Sequence, residues 1–149
     1  MSTPRLVFEM MTAERAVRRW IDGRSGGTGI GAAGAGVLFY LATNDNALVG
    51  DVTAALCASA SGMSGLITRL EKSGFIVKSP DGSDARAVRL TLTPQGRQAA
   101  TTARTVVHDL NNHLTAGFTP TELAVVARWL SQASTLTPHP RPESPSVSS

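Results

Sequence analysis

The sequence predicts a mainly α fold with a small β-hairpin, an α+β class. Three observations predict it. Hydrophobic residues make up 42% of the 149 residues and charged residues 17%, the balance of a globular chain. Ala alone counts 20 against 5% aromatics, and the apolar residues of the longer segments recur at helical spacing. Only the stretch after Gly74 changes to the alternating period of a strand. A chain of this length is one domain by default.

Helix starts are marked by Thr-Pro pairs at Thr3-Pro4, Thr93-Pro94 and Thr119-Pro120. Thr caps a helix, and Pro is tolerated at the first helical position because its missing N–H is not needed there. The pairs predict helices over 4–22, 94–115 and 120–134. Thr119-Pro120-Thr121-Glu122 reads as a full capping box. Ala99, Ala103, Val106, Leu110 and Leu114 share one face of the middle helix, and Leu123, Val126, Ala127 and Leu130 share one face of the last.

Between the first two of these lie shorter elements. GRSGGTG, residues 23–29, reads as a flexible loop, followed by an apolar helix from Ile30 to Ala42 and a turn at Thr43–Asn46. Val49 to Ala58 predicts a short helix with Val52, Ala55 and Leu56 inward. Ser59 caps another that runs to about Ser73, where Gly74 stops it as a left-handed C-terminal residue. Residues 75–78 and 88–92 predict two strands around the turn Pro80–Ser83. The tail 135–149 holds four of the eight prolines and is expected to be disordered. Two short helices joined by a turn and followed by a hairpin form a winged helix-turn-helix, a device that reads DNA.

The charge agrees. The net charge of +3 is carried wholly by Gly62–Arg97, with six basic and three acidic residues; the remainder sums to zero. A local basic surface is the footprint of a polyanion. On the helix 60–73, Met63, Leu66, Ile67 and Leu70 face inward. Ser61, Ser64, Gly65, Thr68, Arg69 and Lys72 face outward, behind the cap at Ser59. Small residues let a backbone approach a groove floor, and hydroxyls meet base edges and phosphates. Lys78, Arg86 and Arg89 add cations on the hairpin. An ordinary amphipathic helix with a solvated face is the bland alternative.

The chain also resembles the MarR-type transcriptional regulators. The resemblance rests on Asp84-Ala85-Arg86, five residues, then Leu92-Thr93, on Leu70-Glu71-Lys72-Ser73-Gly74-Phe75 before the hairpin, and on Thr93-Pro94-Gln95-Gly96-Arg97 after it. It is close over about 37–97 and weaker but collinear over 6–134. The resemblance implies that Asp84 orders the wing and that Arg86 enters the minor groove, where negative potential is concentrated. Ala85 and Lys78 stand where the family usually has basic residues and commonly arginine, respectively, which implies weaker wing contacts. A homodimer is implied too, with N- and C-terminal dimerisation helices. Leu6, Met10, Met11, Trp20 and Ile21 independently give the first helix more apolar surface than a small monomer needs. Many relatives are repressors released by a small, often phenolic or aromatic, acid. On the first helix Arg15, Arg19 and Trp20, beside Arg18, are the candidates to meet it.

Other signals are weaker. Gly29-Ile30-Gly31-Ala32-Ala33-Gly34 has dinucleotide-fingerprint spacing but lacks the βαβ setting, so no cofactor is expected. Cys57 has no basic neighbour in sequence and reads as buried packing. His108, Asp109 and His113 read as polar interface residues, and no metal is expected. No nucleophile–base arrangement argues for an enzyme. No run reaches the roughly 18 apolar residues of a membrane helix. The charged N-terminus does not read as a secretory signal, and a single Cys fits a reducing compartment, so a cytoplasmic location without a membrane partner is expected.

The expectation is therefore a dimerisation arm from 1–29 and 94–134 around a DNA-binding body of 30–93. It would act as a homodimeric regulator on a near-palindromic duplex site. A redox- or metal-responsive regulator on the same scaffold and a winged-helix module for a protein partner are the alternatives.

Overall fold

A computed structural model describes residues 4–24 and 29–137. The centre of the Gly-rich loop, 25–28, and the tail from 138 lie outside the described residues. The element order is α1 (Leu6–Arg24), α2 (Gly31–Thr43), β1 (Ala47–Leu48), α3 (Val49–Ala55), α4 (Ala60–Lys72), β2 (Ile76–Pro80), β3 (Val88–Leu92), α5 (Pro94–Thr115) and α6 (Pro120–Ser134). The chain divides into two compact units, one ending at Leu110 and one starting at Asn111.

In the first unit the core surrounds α2. Val37, Leu38 and Leu41 are fully buried with Val52 of α3, Met63 of α4, Ile76 of β2 and Leu90 of β3. The α2 helix can sit this deep because its first turns are Gly and Ala. A Cβ on Gly34 would lie 2.8 Å from Ile30 Cγ2 and 3.4 Å from Leu70 Cδ2. Its N-cap, Ile30, has no side-chain cap, and the missing acceptor comes from α1: Asp22 Oδ1 accepts from the Ala32 amide at 2.8 Å.

The α4 helix starts and stops on sequence signals. Ser59 Oγ accepts from the Gly62 amide at 3.1 Å. At the other end Gly74 adopts φ +79°, its amide donates to Glu71, and the Phe75 amide donates to Leu70. That pairing is a Schellman stop, and the buried Phe75 and Leu70 supply its apolar contact.

The sheet is antiparallel in the order β1-β3-β2, with Ala47 opposite Leu90 and Ile76 opposite Leu92. Alternation on β3 places Leu90 and Leu92 in the core. The two-residue β1 is an addition to the expected hairpin. The α3 helix ends at Ala55, three residues early, and Ala55 is exposed, not inward. Cys57 is exposed as well, contrary to the expected burial, because the chain turns left-handed there (φ +50°) and leaves the helix.

A tight junction roots the hairpin. Thr93 Oγ1 donates to the Gly74 carbonyl at 2.6 Å and accepts from the Gly96 amide at 3.0 Å, while the Thr93 amide donates to Phe75. Gly96 is buried there, and a Cβ on it would lie 1.9 Å from the Phe75 carbonyl oxygen.

The second unit holds the end of α5 and all of α6. Thr119 and Glu122 form the capping box with Pro120 behind the cap. The Thr119 backbone and hydroxyl bonds hold the Glu122 carboxyl below its usual range. No α6 residue is buried, and Val125, Val126 and Leu130 are all exposed.

Candidate nucleic-acid interface

Helix α3, a turn over 56–59 and helix α4 form the helix-turn-helix. The burial of Met63, Leu66, Ile67 and Leu70 fixes the rotation of α4. Ser61, Ser64, Gly65, Thr68, Arg69 and Lys72 are consequently all exposed, with Ser59 at the cap. Thr68 Oγ1 donates to the Ser64 carbonyl at 3.0 Å. Its hydrogen is thereby committed, and the residue offers its methyl group and an acceptor lone pair outward. A Cβ on Gly65 would meet nothing within 4 Å, so this part of the helix is open to close approach.

The hairpin β2–β3 is the wing. Its root lies beside the end of α4, where Lys78 Nζ sits 3.2 Å from Glu71 Oε1. The tip, residues 81–87, is closed by two backbone bonds, Asp81 N–H to Ala87 O and Ala87 N–H to Asp84 O. Asp84 Oδ1 accepts from the Arg86 amide at 2.9 Å, an Asx turn that sets the backbone under Arg86. Arg86 itself is exposed.

Arg89 is placed differently from Arg86. Its Nε donates to Asp81 Oδ1 at 2.6 Å and its Nη1 donates to the Asn46 carbonyl at 2.7 Å. Ser83 Oγ donates to the second Asp81 oxygen at 2.7 Å. The Arg89 bond, followed by the Ser83 bond, holds the Asp81 carboxyl below its usual range. No local pattern signals this set, because Asn46 is 43 residues from Arg89.

A cleft of about 440 Å³ lies within the first unit. Its walls come from Ile21 and Arg24 of α1, Ile30, Gly31 and Ala35 at the start of α2, Phe75, and the α5 residues Gln95, Gln98, Ala99, Thr102, Ala103, Val106 and Val107. Arg15, Arg19 and Trp20 are not among them. Trp20 takes part indirectly, since the Arg24 guanidinium lies 4.2 Å from the centre of its ring. The i, i+4 spacing from Trp20 was the available signal for Arg24.

Residues 28–87 match the model of the MarR family. The HTH-type transcriptional regulator BilQ of Clostridioides difficile (strain CD3) is 28% identical over 85 residues, which span 57% of this chain and 57% of that protein. Among solved structures, a mutant MarR from E. coli complexed with operator DNA is 21% identical, with a TM-score of 0.77 over 86% of this chain and 92% of that one. NadR in complex with 4-hydroxyphenylacetate is 18% identical, with a TM-score of 0.74 over 92% of this chain and 97% of that one. These likenesses extend the shared fold across nearly the whole chain.

Proposed function

We propose that the chain, whose residues 28–87 match the MarR-family model, is a transcriptional regulator, not an enzyme, that binds duplex DNA. It acts as a homodimer on a near-palindromic operator, as a repressor in the cytoplasm. The observation that carries this reading is the outward strip Ser61, Ser64, Gly65, Thr68, Arg69 and Lys72 on α4, next to a wing whose Arg86 is exposed on an ordered tip. The strip enters the major groove and Arg86 the adjacent minor groove. Lys78 and the Ser59 cap lie at the phosphate backbone.

Dimerisation is supported by the apolar surface that each unit leaves uncovered. Leu6, Val7, Phe8 and Met11 are exposed on α1, and Val126 and Leu130 on α6. A two-fold axis then sets the recognition helices about 34 Å apart, one duplex turn. Helix α1 and helices α5–α6 form the arm, and residues 30–93 the body.

The cleft supports control by an effector. Its apolar walls, with one guanidinium and two carboxamides, suit a small aromatic acid, the class of 4-hydroxyphenylacetate seen with NadR. Such a ligand shifts the population only by binding better to the dimer geometry that misfits the operator.

The deciding experiment titrates the purified chain with duplexes from the flanks of its own coding region across a salt series. Affinity falls steeply with salt as counterions are released. Arg86→Ala weakens binding across sequences, whereas Ser61→Ala or Thr68→Ala changes preference among sites by about 1–3 kcal/mol. Absence of any attraction to duplex at low salt overturns the reading.

A further inference from the structure

We propose that Arg89 is a positioning residue, not a DNA contact, and that with Asp81 it bolts the wing tip to the turn that leads into the helix-turn-helix. The inference rests on the DNA-binding reading above and reassigns one of its cations.

The geometry is a strut between two places far apart in sequence. Arg89 lies on the central strand β3, opposite Ser79 of β2 on one side and Leu48 of β1 on the other. Its guanidinium uses both directions of its fork. One arm holds Asp81, the first residue of the tip, and the other holds the carbonyl of Asn46 in the turn before β1. Asn46 adopts φ +55°, a left-handed conformation that Asn tolerates better than most residues. Asp81 is well covered, its side chain only 11% exposed, and both of its oxygens are engaged. The Asp81 backbone also closes the tip onto Ala87, next to Arg86. The strut therefore fixes the position of Arg86 relative to the entry of α3 and α4.

Lysine cannot replace this fork. An ammonium is a point charge without the planar array that serves two acceptors at set directions. That difference separates the strut from a plain phosphate contact. A phosphate contact keeps most of its value in Arg89→Lys. Removal of an acid from a DNA-facing wing, as in Asp81→Asn, tightens binding by simple electrostatics. The strut predicts the opposite on both counts.

The test measures duplex affinity and hydroxyl-radical footprints for the full chain, for D81N, R89K and R86A, and for the double variant D81N/R86A. Folding is checked by thermal unfolding. D81N and R89K each weaken binding by roughly fivefold or more, the scale of a lost guanidinium contact. Both lose minor-groove protection while the major-groove protection from α4 persists. In the Arg86→Ala background D81N costs nothing further, because the strut acts through Arg86. A general loss of stability would weaken the double variant again. If the unaltered chain binds and R89K or D81N binds as well as it does, or D81N adds its full cost to R86A, the strut is overturned alone. If the unaltered chain does not bind duplex, the DNA-binding reading fails and the strut falls with it.

Discussion

Asp22 of α1 caps α2: its Oδ1 accepts a hydrogen bond from the Ala32 amide at 2.8 Å. The contact does the work of an N-cap from ten residues upstream, and Gly31 between them adopts φ +60°. It also places a negative charge at the positive end of a helix. Asp22→Ala is expected to destabilise the fold by about 0.5–2 kcal/mol. Thermal unfolding reads the total. Hydrogen exchange at Ala32 and Ala33 localises it, with those amides exchanging faster than the α4 amides.

Gly96 tolerates no side chain. A Cβ there meets the Phe75 carbonyl, a backbone atom that is itself bonded to the Thr93 amide. Gly96→Ala is expected to cost about 1–3 kcal/mol, the usual scale of overpacking. Denaturant unfolding checks this as a lower midpoint at unchanged slope.

Gly65 should behave in the opposite way for folding. It lies inside α4 with open space around its Cα, so Gly65→Ala is expected to add about 0.5–1 kcal/mol of stability. The same methyl group stands on the face proposed for the groove floor. Tighter folding with weaker duplex binding is the expected pair of results, read by unfolding and by a binding titration on one preparation.

The uncovered apolar faces make separate predictions for each unit. Phe8 is 65% exposed on α1 and Leu130 is 46% exposed on α6. A glutamate at either position puts a charge where the proposed partner copy packs, which costs far more in an interface than on a solvated surface. Phe8→Glu and Leu130→Glu are each expected to shift sedimentation toward the single chain while each circular dichroism spectrum stays helical. An unchanged sedimentation profile for both would remove these faces from the interface.

Asp81 gives a pH dependence of known sign. Its carboxyl is held below its usual range, first by Arg89 and then by Ser83. The order it lends the wing is therefore present above the unfolded pKa of a carboxylate and is lost as the pH falls through the lowered folded value. Exchange of the Ala87 amide checks this. Its protection should persist through mildly acid conditions and then collapse, whereas in Asp81→Asn it should be low throughout.

Much of this molecule is legible in its residues, for physical reasons. The α6 start is a local event, since Thr119 and Glu122 satisfy each other within one turn. The wing is legible because Val88, Leu90 and Leu92 alternate against a core, and α4 because four apolar residues fix its rotation. What escaped the sequence is what distant segments decide. The strand β1 has only two residues and exists by pairing with Leu90 and Arg89. Cys57 leaves the core because α3 closes early, and nothing in the local pattern marks that left-handed step. Asp22 has no local signal as a cap, and Arg89 reads as one more DNA-facing cation, until the fold brings Ala32 and Asn46 to them.

The junction of Gly74, Phe75, Thr93 and Gly96 has a mechanical meaning. It fastens the end of α4, both feet of the wing and the first turn of α5 at a single point. In the proposed dimer, each protomer then presents the duplex with recognition helix and wing joined as one stamp. On that reading, operators of unequal length or bend are met by re-spacing the two stamps, because the junction ties the parts within each one.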